Sequence, residues 1–256
     1  MKKVAIDLGK DIDNVIIFPL GDLHLGDKLC RLDLIKKQID VIANTDNAYV
    51  ILTGDILNNN IKSAVGSRTD ENMSPAEQLI YAAELLQPIK HKILAMVSGN
   101  HENRTTKEVH QDLLFFLARE LQIVDRYDPV GVVLFLTFGV STNRKDRSKT
   151  FTAYITHGAG GGGTAGAKIN RLMNLRNVVD VDLYFHAHTH QAFVTKTMRI
   201  RTCTRTKTIR EVTQLLINNN AWLDYGGYGE VKGYSPVSKN PPYVVLFQNG
   251  EMKGVL

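Results

Sequence analysis

Strands and helices alternate through the first three quarters of this 256-residue chain, and strands take over after Gln191. No repeat, linker or low-complexity tract separates the two parts. With 43% hydrophobic residues the chain can bury a sizeable core. Together these features predict a mixed α/β (α+β) fold in one domain over residues 1–256, its C-terminal part (191–256) rich in strand.

The elements follow in order. Asn14–Gly21 (NVIIFPLG) is a short apolar run that reads as a buried strand. Leu29, Leu32, Ile35, Ile39 and Ile42 recur at helical spacing. Tyr49–Thr53 reads as a second buried strand and stops at Gly54-Asp55. Residues 56–73 are polar and rich in Gly, Asn and Ser, a long loop of the functional kind. Ser74-Pro75-Ala76-Glu77 is a capping box with proline at the first helical position, opening a helix to about Ile89. A strand over Lys92–Val97 leads into Ser98-Gly99-Asn100-His101-Glu102, and a helix follows near Glu108–Leu121. Strands are expected at Val130–Gly139, Phe151–Thr156 and Asp182–Phe185, with a helix near Ala167–Leu175 before the last. Asn249-Gly250 turns a closing hairpin between Tyr243–Phe247 and Met252–Leu256.

Several classes are excluded. The longest mostly apolar run, Val130 to Val140, has 11 residues, short of the roughly 18 that a membrane span needs. The start, MKKVAIDLGKD, has no apolar stretch behind its lysines and does not read as a secretory signal. Cys30 and Cys203 make neither a disulfide framework nor a C-x-x-C site. A reducing, cytoplasmic setting is the expectation.

Nearly every early strand ends in a string of Asp, Asn or His. The strings are Asp22-Leu23-His24, Gly54-Asp55, Gly99-Asn100-His101-Glu102, His157-Gly158 and His186-Ala187-His188-Thr189-His190. Strand ends are where a fold gathers residues distant in sequence. Period two along a strand places Asp22 beside His24, and His188 beside His190. Carboxylate oxygen and imidazole nitrogen without thiolate suit Mn, Fe, Zn or Ni. Seven such ligands are too many for one ion and suit two that share a carboxylate.

In this order the strings resemble the calcineurin-like metallophosphoesterase superfamily, whose pattern is D-x-H, G-D, G-N-H-[DE], a lone H, then G-H-x-H. The motifs span residues 22–190; Ala187 replaces the usual glycine and follows an extra His186. The resemblance implies a two-sheet β-sandwich flanked by helices and two divalent metal ions, manganese first among the candidates. It implies that Asp22, His24, Asp55 and His190 surround the first ion. Asp55, Asn100, His157 and His188 would surround the second, with Asp55 bridging. His101 is then a catalytic residue facing the scissile group, not a ligand, and a hydroxide between the metals attacks phosphorus. Asn100, His101 and Arg104 are the expected substrate contacts.

The branch is read from two details. Ser/Thr protein phosphatases carry an Asp-Arg-Gly after the second motif, where this chain has Ile56-Leu57-Asn58-Asn59-Asn60. The paired His188-x-His190 and the Asp22–Gly26 string (DLHLG) resemble instead the phosphodiesterase and nuclease branches. A phosphodiester of nucleic acid or a nucleotide is therefore the expected substrate. A Ser/Thr phosphatase-like monoesterase is the alternative, and a non-catalytic scaffold of the same fold a further one. Net charge is +5, yet Lys196, Arg199, Arg201, Arg205, Lys207 and Arg210 form a cationic strip without an acid, and residues 144–149 are also basic. Both segments could follow a phosphate backbone; an edge strand protected by its charges is the competing reading. Gly158–Gly163 satisfies G-x-G-x-x-G, but a run of glycines does so almost automatically, and a rim beside His157 is the better reading. Trp222, Tyr225, Tyr228 and Tyr234 could stack on bases, although core packing suits them better.

Overall fold

The computed structural model describes residues 1–62, 64, 71–140, 148–160, 164–231, 233 and 235–256, the side chain of Tyr228 excepted. The chain runs through β1 (Lys2–Asp7), β2 (Asn14–Leu20), α1 (Leu32–Ala43), β3 (Ala48–Leu52), α2 (Pro75–Leu86) and β4 (Ile93–Val97). Then come α3 (Glu102–Val109), α4 (Leu113–Glu120), β5 (Tyr127–Asp128), β6 (Val132–Phe138), β7 (Lys149–Ile155) and α5 (Ala165–Asn174). It closes with β8 (Leu183–His186), β9 (Phe193–Cys203), β10 (Thr208–Asn218), α6 (Gly227–Val231), β11 (Tyr243–Phe247) and β12 (Met252–Val255).

Two six-stranded sheets form among the described residues, in the orders β1-β6-β7-β8-β10-β9 and β12-β11-β2-β3-β4-β5. Their facing sides share a core that includes Ile17, Ile51, Val97, Leu134, Phe138, Ile155, Phe185 and Ile217. Outside the second sheet, α1, α2 and α4 add Ile35, Ile39, Leu86 and Leu117 to another core, where Trp222 is buried. Outside the first, Leu172 of α5 packs with Tyr154, Tyr184 and Leu216. This is the expected sandwich with helices on both outer faces. Central strands buried on both faces need continuous apolar runs, which explains why β3 and β4 read as VIL and ILAMV.

One arrangement positions the site. β2, β3 and β4 are parallel neighbours in one sheet, and β7, β8 and β10 in the other. The C-terminal ends of these six strands meet at one edge of the sandwich.

Three elements depart from the sequence reading. The helix expected over Glu108–Leu121 is two helices, because His110 turns left-handed (φ 57°) and Asp112 accepts the amide of Phe115 to start α4 anew. The helix from Ser74 ends at Leu86 and tightens into a 3₁₀ segment, Gln87–Lys92, containing Pro88, which lacks the N–H a helix interior needs. β1 went unread because it is short and only Val4 and Ile6 give its inner face an apolar signal, Val4 alone being buried. Within the described residues no helix is long and apolar enough to cross a membrane.

Candidate metal centre

The loops after β2 and β3 are zipped together by their backbones. Asp22 N–H donates to Gly54 O (2.9 Å), His24 N–H to Asp55 O (3.1 Å) and Leu25 N–H to Ile56 O (2.9 Å). From the other sheet, Ala187 N–H reaches His157 O (3.1 Å), Trp222 N–H reaches Asp22 O (3.0 Å), and His188 N–H reaches Asp22 Oδ2 (3.1 Å). Glu102 ties the central loops: its buried carboxylate accepts from the amides of Asp55, Leu57 and Gly99. Burial, and Asp55 after it, push the Glu102 carboxyl up to about 7.

Strand pleat does not bring the paired ligands together, contrary to the period-two expectation. Asp22, His24, Asp55, His188 and His190 all lie beyond strand ends in left-handed backbone, with φ of 50°, 49°, 48°, 65° and 56°. Asp is among the few types that visit this region, and a non-glycine residue there is strained. A turn at each ligand therefore aims it inward.

The side chains collect into three overlapping groups: Asp22, His24 and His190; His24, Asp55 and His101; Asp55, His157 and His188. In each, one ligand atom per residue lies within 4.8 Å of the others. The first group holds three of the four residues expected around one ion and the third holds three of the four expected around the other, Asp55 and Asn100 respectively lying outside them, while the second places His101, expected not to be a ligand, with His24 and Asp55. Asn100 Oδ1 is 3.1 Å from His157 Nε2, and His157 Nε2 is 3.2 Å from Asp55 Oδ2. Asp55 also groups with His24 of the first set, so it sits between the two.

Several observations show that these residues fit divalent cations. His24 Nε2 and His190 Nε2 face each other at 3.3 Å; buried Asp22 Oδ1 and His24 Nδ1 have no hydrogen-bond partner, Asp22 Oδ1 meeting only His190 Nε2 at 3.4 Å. A buried, unsatisfied carboxylate oxygen is costly unless something positive meets it. His157 Nδ1 and His101 Nδ1 each bond to a carbonyl oxygen, of Thr53 (2.8 Å) and Asn58 (2.6 Å). That commits Nδ1–H to the backbone and points Nε2 into the site, the usual way a protein orients an imidazole ligand. Burial would lower His157, but the Asp55 carboxylate beside it raises it to about 10, so a proton occupies the place that suits a cation. Burial and the neighbouring His101 hold His24 well below the histidine range, and burial with His157 takes His188 to about 4. Both are neutral and able to donate a lone pair.

A family model described as calcineurin-like phosphoesterase matches residues 17–192. The chain belongs to that family. No curated protein matches the sequence of this phosphoesterase. Solved structures similar to it include a conserved Streptococcus pneumoniae protein, a predicted phosphoesterase, at 12% identity and TM-score 0.38, covering 95% of this chain and 98% of that one. A double mutant of Vps29 from Entamoeba histolytica has 12% identity and TM-score 0.36, covering 94% and 98%. GAP50, the anchor in the inner membrane complex of Plasmodium, has 11% identity and TM-score 0.40, covering 95% and 84%.

The other expected residues fare differently. In the phosphoesterase, one guanidinium nitrogen of Arg104 is spent on Asn58 O, Asn59 O and Asn60 Oδ1, so it clasps the loop behind His101. Within the cationic strip, Arg201 is bidentate to Asp180 (2.7 and 2.8 Å) and reaches Asp182, while Arg199 Nη1 bonds to Arg176 O. β9 starts just after His190 and runs 11 residues outward, so its far end lies roughly 30 Å away. Trp222 is core, as expected, and Tyr225 is exposed. Residues 144–147 of the second basic segment, Gly161–Gly163, Tyr234, the side chain of Tyr228 and most of 63–70 lie outside the described residues. The sequence reading missed the Asn218–Asn219–Asn220 tract that ends β10, entirely buried beside the histidine loop. A strand ending in a string of asparagines was the signal.

Proposed function

We propose that this phosphoesterase is a two-metal phosphodiesterase acting on nucleic acid or nucleotide diesters. The observation that carries the reading is the delivery of both His188 and His190 into the two ligand groups on either side of Asp55. Asp22, His24, Asp55 and His190 would hold one ion; Asp55, Asn100, His157 and His188 would hold the other. When bound, a pair of divalent ions supplies Lewis acidity toward a phosphoryl oxygen and lowers the pKa of water.

The chain's own residues do the rest. His101, braced through Nδ1 by the Asn58 carbonyl, presents Nε2 3.9 Å from Asp55 Oδ2. In the imidazolium form, with Nδ1–H kept on the Asn58 carbonyl, its Nε2–H would donate a proton to the leaving oxygen or offset its charge, a role worth about 10²–10⁴-fold. Asn59 Nδ2 grips the His101 carbonyl (2.6 Å) and Thr105 (2.9 Å), which keeps the ring in place. The diester preference draws support from the Asn58–Asn60 loop. No cation comes from it, and the nearby Arg104 already serves Asn58, Asn59 and Asn60. Among the described residues, a guanidinium partly tied to its own loop suits the single charge of a diester better than the double charge of a monoester.

The test is hydrolysis of bis-p-nitrophenyl phosphate against p-nitrophenyl phosphate, with and without Mn²⁺, followed by single- and double-stranded DNA, RNA, cyclic nucleotides and a phosphopeptide. Faster Mn²⁺-dependent turnover of the diester is expected. Preference for the monoester and phosphopeptide would favour the phosphatase reading. Failure to take up metal at all would favour a scaffold.

A further inference from the structure

We propose that Asn218 is a positioning residue that locks the His157 loop and the His188–His190 loop to each other through His186. The inference deepens the two-metal reading and rests on it for its consequence in metal binding.

His186 is the extra histidine that precedes Ala187, and the ligand sets do not use it. It is 2% exposed, at the end of β8, in lateral register with Asn218 at the end of β10. The Asn218 amide is fully buried and its hydrogen-bonding capacity is used on both sides. Nδ2 donates to Gln191 O (2.6 Å) and Thr189 Oγ1 (2.8 Å), while Oδ1 lies 2.7 Å from His186 Nδ1. The Gln191 carbonyl can only accept, which fixes the amide nitrogen on that side. Oδ1 then faces the imidazole, and His186 must carry its hydrogen on Nδ1.

The ring so held stands against Gly158. That glycine is left-handed (φ 93°), and a Cβ there would overlap the His186 ring, starting with Nε2. Gly158 follows His157, whose carbonyl receives the Ala187 amide at 3.1 Å. One side-chain amide therefore touches both neighbours of the ligand pair, Thr189 and Gln191, and the ring that spaces the third ligand's loop. Asn218 touches none of the ligand side chains itself. Its effect passes through the loops, so it sets the separation between ligands of the first ion (His190) and of the second (His157, His188).

The experiment compares wild type with Asn218→Ala and with Asn218→Asp, which keeps the size and the Oδ1 acceptor but loses the donor to Gln191. Two readouts are taken. In metal-free protein, hydrogen exchange at the amides of Ala187 and Thr189 should rise at least tenfold in both variants, with far-UV circular dichroism unchanged. In Mn²⁺-loaded protein, electron paramagnetic resonance should show a spin-coupled pair in wild type and mainly uncoupled Mn²⁺ in the variants. Mn²⁺ affinity should fall about tenfold, the lower end of what losing a ligand's own hydrogen-bond partner costs, because Asn218 acts through the loops. Unchanged exchange at Ala187, or a spin-coupled pair and affinity within threefold of wild type in both variants, overturns the lock. Loss of Mn²⁺ uptake by wild type would instead overturn the two-metal reading, and the exchange measurement would still decide the lock.

Discussion

His101 differs from the imidazoles around it in what braces it. A loop carbonyl holds its Nδ1, Asn59 holds its backbone, and its Nε2 is left near Asp55 without belonging to either expected ligand set. His101→Ala should therefore keep two metal equivalents by elemental analysis while turnover on a diester drops about 10²–10⁴-fold; loss of metal would make His101 a ligand instead. A pH prediction concerns the metal-free protein. His188 titrates near 4 in the fold against the ordinary 6.5, so between those values the unfolded chain binds more protons and stability falls as pH falls. Its contribution is complete above 6.5 and gone at about 4. His157 has the opposite sign: at about 10 it contributes fully below 6.5 and loses that contribution as pH rises to about 10. Thermal midpoints of EDTA-treated protein should thus decline on both flanks, and a profile flat from pH 4 to 10 would remove both assignments. Cysteine chemistry separates the two thiols. Burial, then Asp27, push Cys30 up to about 12, whereas a hydrogen bond from Thr206 lowers Cys203. Iodoacetamide on the native protein at pH 8 should label Cys203 and spare Cys30, read by mass spectrometry.

At the scale of elements, the start of α2 is the cleanest local signal. Ser74 and Glu77 exchange both hydrogen bonds of a capping box, with Pro75 in the first turn. Ser74→Ala should cost about 1 kcal/mol in chemical denaturation and leave metal content untouched. Such signals explain what the sequence could reveal. β2, β3 and β4 were legible because strands covered on both faces must be apolar throughout, and each ligand string was legible because it followed such a run. How the ligands meet was not legible. It depends on left-handed turns at Asp22, His24, Asp55, His188 and His190, and residue type only weakly encodes that conformation. The split between α3 and α4 was hidden for the same reason, since it turns on the backbone of His110. The sign of the 196–210 strip was readable, but not its partial neutralisation. Arg201 meets Asp180 and Asp182 from about twenty residues away, through the folding of β9 over the segment before β8.

At the scale of the molecule, the sandwich separates chemistry from the cationic strip. Strand ends of both sheets meet where the candidate metal ligands gather, while β9 and β10 carry Arg205, Lys207 and Arg210 to the far end of a two-stranded arm. β10 pairs with β8 only over Leu215–Asn218; Arg199 and Arg201 hold the middle of the arm to Arg176, Asp180 and Asp182, and its tip around Arg205–Arg210 is exposed. Replacing Arg205, Lys207 and Arg210 by Glu should leave turnover of a small diester within twofold. If nucleic acid follows the strip, the same change should weaken its binding and reduce the steepness of the salt dependence, about 0.9 log unit per phosphate contact for duplex DNA. The five left-handed ligands bear on more than aim. Each such turn costs roughly 1 kcal/mol or more in a residue other than glycine, and none can be relieved by glycine without losing a donor atom. Free metal would repay that cost in the folded chain alone, as RT ln(1 + [L]/Kd) for each site. The protein would then register its metal supply as resistance to heat and proteolysis, its unfolding free energy rising with the logarithm of the free divalent metal well before catalysis is measured.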